Sequence, residues 1–592
     1  MNNKHLYKKL SSLVSLLEKS TIKNAFKQIM LVALAFILFA SLQSLSLNSN
    51  LKPGKPSPKN SWGIQAFALP GTMQFGEAVV SGKKNNFVLT VNIKPDVNTA
   101  SIKPLIKLVP GATISPAIGQ AIAVDQLPAY KVTLPTGEVQ NWTIKTVHEK
   151  PDYTSKIFKA GDRVLFAGNS ITHGGRYHQY IWLYYMTRFP NLRLTILNGG
   201  IGGDIISNIN NRLEEDIFTK NPNIINLTFG MNDSGYFQYM SANPQKVADD
   251  LVFKCDSAFK LVTIKLKNHP DIKKVLMAGS PYDVSTKVIK NNEFSQKPAT
   301  FERIVQLQKN AGKSNNWPFI DIYHPMDSLN KAYQKEDPNF TLSGSNDRIH
   351  PESYGHLVWA YFYLRSQGLK GLEVADFTVD AARKKAVSSS NCTITNIGGS
   401  TNAISFDYLA RALPFPIDET KHNGDKQPAS AALKYVSFTN DLNQEMLRVK
   451  NLSGKNYELK IDGKAMGNFA ATDLAKGINM AMITNTPQYL QAMNILKLNE
   501  ERGSTERETR DYAVQVYNFA RANGIKNDQD PASWAKMREL KKTNGWINND
   551  LYERGSNPAT QKAWQEKMDR LTTEIYASNI PTKHKIELVK AD

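Results

Sequence analysis

The stretch Arg163-Val164-Leu165-Phe166-Ala167-Gly168-Asn169-Ser170-Ile171 decides how the rest of the chain is read. An apolar run of strand texture passes directly into turn residues, which puts a serine where a buried strand opens into a turn. That backbone setting leaves a hydroxyl exposed for nucleophilic attack. Gly-Asn-Ser is also ordinary turn composition, so its weight comes from three further motifs downstream. Asn198-Gly199-Gly200-Ile201-Gly202-Gly203-Asp204, Gly230-Met231-Asn232-Asp233 and Asp347-Arg348-Ile349-His350 occur in that order, each in a similar setting.

Outward from the serine, apolar strands alternate with amphipathic helical stretches. Strands are expected at Arg163 to Ala167, Leu192 to Leu197, Ile224 to Phe229, Val275 to Ala278 and Phe319 to Tyr323. Helices are expected over Ile205 to Phe218, Val247 to Lys265 and Phe301 to Lys309. Repeated strand, crossover helix and strand imply a parallel sheet covered on both faces. Ligands of such sheets bind beyond the carboxyl ends of the strands, where Ser170, Gly203 and Asn232 fall.

Each motif has a separate chemical job in a serine hydrolase. Ser170 is the candidate nucleophile, weak until a base takes its proton. His350 is the candidate base, and Asp347, three residues earlier, is placed to hold the imidazole tautomer. A tetrahedral intermediate also needs donors aimed at its oxyanion: the Ser170 N–H, the Gly203 N–H where a missing Cβ permits close approach, and the Asn232 amide. His173 and Arg176 follow the nucleophile and are candidates for substrate binding, with His178 beside them. Asp204 reads as the N-cap of the helix near Ile205, Asp233 as a structural residue of the turn after the third strand, and His356 as a packing residue. His324 has no evident partner. No metal-ligand spacing is evident, and no cofactor is expected.

Gly168-Asn169-Ser170, Gly203, Asn232 and Asp347 with His350 together resemble the four blocks of the SGNH hydrolases, or GDSL esterases, over roughly residues 160 to 370. The resemblance implies a three-layer, flavodoxin-like α/β fold without a metal. It also implies acyl-group removal by a serine mechanism, with these five residues in the roles just given. One position departs from the family pattern: Asn169 stands where the family has aspartate before the serine. Asn keeps a carbonyl acceptor for the turn but lacks the negative charge.

The 592-residue chain is too long for one core, and 41% hydrophobic with 21% charged residues is the composition of folded protein. Six segments are expected. Residues 1–47 read as a signal peptide or signal anchor, because a basic stretch leads into the uncharged run Ile29 to Ala40. Residues 48–61 read as a linker and 62–150 as an Ig-like β-sandwich. The hydrolase domain spans 158–370, a β-rich domain 371–486 and a helical region 487–592, whose charges read as a solvated face. About eight of the +20 net charges sit within the first sixty residues, where nine lysines face only Glu18, and the rest are spread thinly. With no Arg-rich helix or zinc spacing, nucleic acid is not an expected partner. Cys255 and Cys392 are the only cysteines, and their pairing is not legible.

Export with a β module ahead of such a domain resembles the layout of secreted carbohydrate esterases. The expected activity is removal of acetyl or another small acyl group from a polysaccharide or glycoside. The expected location is periplasmic, cell-surface or extracellular, with membrane contact only through the N-terminal segment; oligomeric state stays open. The alternatives are a lipase, lysophospholipase or thioesterase and, in another class, an inactive glycan-binding or surface-scaffold relative.

Overall fold

The computed structural model describes residues 62–69, 74–83, 85–93, 100–148, 157–290, 293–422 and 424–591, in two units that divide between Pro151 and Asp152. The expected export segment and the linker after it lie outside the described residues. No helix among the described residues is long and apolar enough to cross a membrane.

The first unit is β-structure. Gln74–Lys83, Asn86–Ile93, Val139–His148, Tyr130–Thr133 and Thr113–Ser115 form one sheet, and Ile64–Ala68 pairs with Leu105–Leu108 in another. Alternation along Asn86–Ile93 turns Leu89, Val91 and Ile93 inward, into a core with Val132 and Trp142.

In the second unit a five-stranded parallel sheet comes first. Its strands are β1 (Arg163–Gly168), β2 (Thr195–Gly200), β3 (Ile224–Phe229), β4 (Lys273–Ala278) and β5 (Phe319–Asp321), in the spatial order β5-β4-β3-β1-β2. Every residue of β3 and all of β1 after Arg163 are buried, as in a sheet covered on both faces. Helices α1 (Ser170–Gly174), α2 (Tyr177–Arg188), α3 (Ile206–Arg212), α4 (Pro244–Lys267), α5 (Lys297–Asn315), α6 (Tyr323–Tyr333) and α7 (Ser353–Ser366) accompany it. Read from the sheet's other edge, the order 2-1-3-4-5 is flavodoxin-like, with its topological switch point between β1 and β3. Ser170 and Asn232 follow those two strands. The second strand runs later than expected, because Gly199 and Gly200 continue the ladder opposite Ala167 and Gly168.

Two sheets build the β-rich region. Strands β6 (Ala375–Asp380), β7 (Lys385–Ser390), β10 (Glu445–Lys450) and β13 (Ile478–Asn479) form a sheet in the order β7-β6-β10-β13. Strands β8 (Cys392–Gly399), β9 (Ala403–Ala410), β11 (Asn456–Ile461), β12 (Lys464–Ala470) and β14 (His584–Ala591) form the other, in the order β8-β9-β14-β11-β12. Their facing residues, including Phe377, Leu447, Phe406, Leu459 and Ile586, share one core. Strand β14 is the last of the described chain, so the helical stretch leaves this sandwich and returns to its centre. Cys255 and Cys392 are both buried and free.

Helices α8 (Pro487–Val514) and α9 (Pro558–Ser578) pack together, and α8 also packs on α2. The expectation of a solvated charged face fails at three positions of α8. Arg502, Glu506 and Arg510, spaced four apart on α8, are buried at 2%, 6% and 2% exposure. Arg502 pairs with Glu506 and lies 4.4 Å above the Trp182 ring, while Arg510 grips Asp216 through two bonds of 2.8 Å. Glu506 also accepts the Asn198 N–H at 2.9 Å. A stripe at i, i+4, i+8 reads as solvated only when its partners, Asp216 and Asn198 about three hundred positions earlier, are out of view.

Candidate active site

Strand β1 ends at Gly168 and the chain turns into α1 with Ser170 as its first residue. Asn169 is the N-cap: its Oδ1 accepts the Ile171 N–H at 3.1 Å and its own carbonyl accepts the His173 N–H at 2.9 Å. The neutral amide therefore supplies the acceptor this turn requires.

Ser170 Oγ lies 2.7 Å from His350 Nε2, and His350 Nδ1 lies 2.5 Å from Asp347 Oδ2. The second oxygen of Asp347 accepts the Ile349 and His350 N–H groups, each at 2.9 Å. Burial pushes this carboxyl up, but the hydrogen bonds and charge of His350 and the two N–H groups outweigh it, holding Asp347 below the usual carboxylate range. An ionised Asp347 keeps the imidazole proton on Nδ1, leaving Nε2 to accept from the serine hydroxyl. The His350 side chain is 47% exposed, so this line of three groups opens to solvent.

Sequence reasoning missed what holds the loop carrying Asp347 and His350. Arg348 between them is buried, with φ 68° in the left-handed region, a strain of about 1–3 kcal/mol for a side chain of this size. Its guanidinium donates to the carbonyls of Asp283, Val284, Thr286 and Ile289 and pairs with Glu293 at 3.1 Å. The arginine inside the Asp-x-x-His motif was the visible signal; its partners sixty residues earlier were not.

The turn after β3 presents Asn232. Its Nδ2 donates to the Asp204 carbonyl at 2.9 Å and its Oδ1 accepts from the Tyr236 hydroxyl at 2.9 Å, which fixes the amide's orientation. Asp233 holds the turn from beneath, as expected, by accepting the Gly230 N–H, and it also accepts the Ile206 N–H at the start of α3. Asp233, rather than Asp204, therefore caps α3. The Asp204 carboxylate is drawn instead to the buried Arg212 guanidinium at 2.8 Å. Lys297, fully buried and missed in the sequence, donates to the Met231 carbonyl, to Ser234 Oγ at 2.7 Å and to the Gly235 carbonyl at 2.8 Å. Its ammonium stands 3.7 Å from the Tyr236 ring centroid, and burial pulls it well below the usual lysine range despite Asp233.

The glycine run begins in the last two residues of β2 and packs against α1. Gly200 packs so closely on α1 that a Cβ there would stand 2.2 Å from the His173 nitrogen. Gly203 has φ 85° and open space where a Cβ would point, a conformation that favours glycine. Side chains hold the carbonyls of this run: Arg212 donates to Gly199 at 2.8 Å, Arg510 to Gly200 at 3.1 Å and Asn518 to Gly202 at 2.8 Å.

The other candidates divide. His173 is bonded through Nε2 to Asp511 of α8 at 2.8 Å, and the charge of Arg176 acts on Glu500 of the same helix. His178 does not line a pocket: it is wholly buried, bonded to the Thr172 carbonyl at 3.2 Å, and burial lowers its pKa to about 4. His356 packs on the Tyr177 ring, and burial pulls it well below the usual histidine range. His324 does have partners, Asp321 at 2.7 Å and Glu302 at 2.9 Å. Among the described residues, Asp418, His422 and Glu500 bring ligand-type atoms within 4.8 Å of one another, tied by a His422–Asp418 bond of 2.8 Å.

Residues 166–358 match the GDSL-like Lipase/Acylhydrolase family, and residues 493–580 match the Diltiazem deacetylase C-terminal helical domain. The chain is 42% identical to the solved structure of a gut microbial diltiazem-metabolizing enzyme, covering 74% of this chain and 100% of that one, with a TM-score of 0.73. It is 23% identical over 226 residues to an acetylxylan esterase of Geobacillus stearothermophilus, covering 36% of this chain and 96% of that protein. Fold, motif order and these matches agree, and the chain belongs to the GDSL-like lipase/acylhydrolase (SGNH) family of ester hydrolases.

Proposed function

We propose that this protein is an exported serine esterase that removes acetyl or another small acyl group from an oxygen of a polysaccharide or glycoside. The observation that carries the serine mechanism is the continuous line Ser170 Oγ, His350 Nε2, His350 Nδ1 and Asp347, at 2.7 and 2.5 Å. In the reaction Ser170 Oγ attacks the acyl carbonyl while His350 takes the hydroxyl proton. The carbonyl oxygen becomes an oxyanion facing the N–H groups of Ser170 and Gly203 and the second hydrogen of the Asn232 amide. Collapse breaks the bond to the alcohol oxygen, which leaves with the proton from His350. Water then attacks the acyl-serine and gives a proton to His350; the bond to Ser170 Oγ breaks, Oγ recovers that proton from His350, and the carboxylic acid departs. Asp347 stabilises the imidazolium formed in both halves.

Three features support a small acyl group and a bulky alcohol. The two named relatives act on diltiazem and on acetylated xylan, and the matched helical domain is that of a deacetylase. His350 is half exposed, giving a large alcohol room outside the site. A second reading, a non-sugar aromatic alcohol, is favoured by Phe237, 69% exposed and in edge contact with Phe294 5.2 Å away, three residues after Ser234 on the loop that follows Asn232.

The test is hydrolysis of 4-nitrophenyl esters of increasing chain length, together with acetate release from acetylated xylan and from an aryl acetate. The proposal expects rates to fall steeply beyond short chains and acetate to be released from the glycan. Rates rising with chain length would favour a lipase instead, and glycan binding without ester turnover would indicate an inactive relative.

A further inference from the structure

The C-terminal helical region does more than cover the sheet; it reaches into the glycine run. After α8 the helix widens into a π-helical turn, Gln515–Ala520, a form that often marks functional positions because it redirects side chains. Asn518 lies in that turn, half-buried, and its Nδ2 donates to the Gly202 carbonyl at 2.8 Å. The Gly202 carbonyl and the Gly203 N–H belong to one peptide unit, planar and trans, so they point in opposite directions. Whatever fixes the carbonyl fixes the N–H. Between two glycines such a unit turns over at little steric cost, since neither residue has a Cβ to oppose it. Gly199 and Gly200 have their own anchors in Arg212 and Arg510, whereas the described structure gives the Gly202 carbonyl one, Asn518.

We propose that Asn518 is a positioning residue for the ester hydrolysis: by holding the Gly202 carbonyl it aims the Gly203 N–H at the oxyanion. The inference rests on the reading of Gly203 as an oxyanion donor. It places a determinant of catalysis 348 positions after the nucleophile and outside the segment that carries the family motifs. It also gives the C-terminal helices a role in the chemistry, acting through a backbone group rather than by touching substrate.

The test uses the full chain carrying Asn518→Ala and Asn518→Asp, with Asn523→Ala as a control because that amide bonds only the Phe519 carbonyl of its own helix. Aspartate keeps the size of asparagine but has no hydrogen to give the carbonyl. On 4-nitrophenyl acetate both Asn518 variants are expected to lose about ten- to hundredfold in kcat, less than deletion of a whole donor, with KM changed by less than about threefold. Affinity for a boronic acid, which mimics the tetrahedral species, measured by calorimetry on folded protein, is expected to weaken in parallel with kcat/KM. The control is expected to match wild type. An aspartate variant within about twofold of wild type in kcat, or unchanged boronate affinity in both variants, would overturn the inference. Ser170→Ala in the same assay separates the two layers. If it is inactive while the Asn518 variants keep full kcat, only the Asn518 role falls; if it keeps the wild-type rate, the serine reading falls and this inference with it.

Discussion

The loop carrying Asp347 and His350 and the glycine run ending at Gly203 are held in different ways. The first is local: Asp347 binds the two N–H groups that come after it, and Arg348 ties the loop to carbonyls of the neighbouring 283–289 segment within the same α/β domain. The second is remote: two of its carbonyls are held by Arg510 and Asn518, three hundred residues further along the chain. His350 is thus held by the segment that carries the family motifs, while the glycine run is held in part by a helical region that lacks them. The comparison teaches that the matched segment, 166–358, is not the whole of the candidate site.

The sharpest way to break this comparison is on the local side. His350→Ala is expected to reduce kcat by about a thousandfold or more, because it removes the base in both half-reactions while leaving the glycine run intact. Steady-state kinetics on 4-nitrophenyl acetate checks it. On the remote side, Arg510→Met is expected to cost about 1.5–3 kcal/mol of stability, since the buried Asp216 carboxylate loses the two bonds from Arg510 but keeps Arg212 and Lys220. Denaturant unfolding of the full chain reads that loss, and a midpoint equal to wild type would show that α8 is not braced there. Asn232→Ala removes one donor and is expected to lower kcat about 10²- to 10³-fold with KM nearly unchanged.

Smaller effects sharpen the account. Asn169→Asp restores the family's charge while keeping the cap, so kcat is expected to move by less than about tenfold, or about 1.4 kcal/mol. A larger gain would mean that Asn169 limits the reaction. Glu445 of β10 lies outside both regions, and burial raises its pKa from the ordinary 4.5 to about 7, against hydrogen bonds from Tyr408 and Gln488. The folded state therefore holds this proton more tightly than the unfolded chain. Its contribution is fully present below pH 4.5 and is lost as pH rises toward about 7. Glu445→Gln is expected to raise Tm at pH 8 relative to wild type more than at pH 5, with kcat unaffected.

The same division separates the parts of the molecule that were legible in the sequence from those that were not. Strand texture, glycine turns and the Asp-x-x-His spacing are local patterns, and they located the parallel sheet, the histidine now found within hydrogen-bond reach of Ser170 and the aspartate bonded to that histidine. Interactions between distant segments were not legible. Arg348 and Lys297 are buried donors satisfied mainly by backbone carbonyls, which leave no trace in side-chain spacing. Asp204 has the sequence position of a cap because it precedes a helix, yet a cap can come from any chain segment, and here Asp233 supplies it. The buried charges of α8 look like solvent-facing residues until Asp216 and Asn198 are brought against them.

The serine mechanism itself is tested most directly by labelling. Wild-type protein treated with a 4-nitrophenyl phosphonate ester, digested and mapped by peptide mass spectrometry, is expected to carry the phosphonyl group on Ser170 in stoichiometric yield. His350→Ala is expected to react far more slowly, and Ser170→Ala not to be labelled in the peptide 163–176. A label on another residue, or loss of activity without modification of Ser170, would contradict the account.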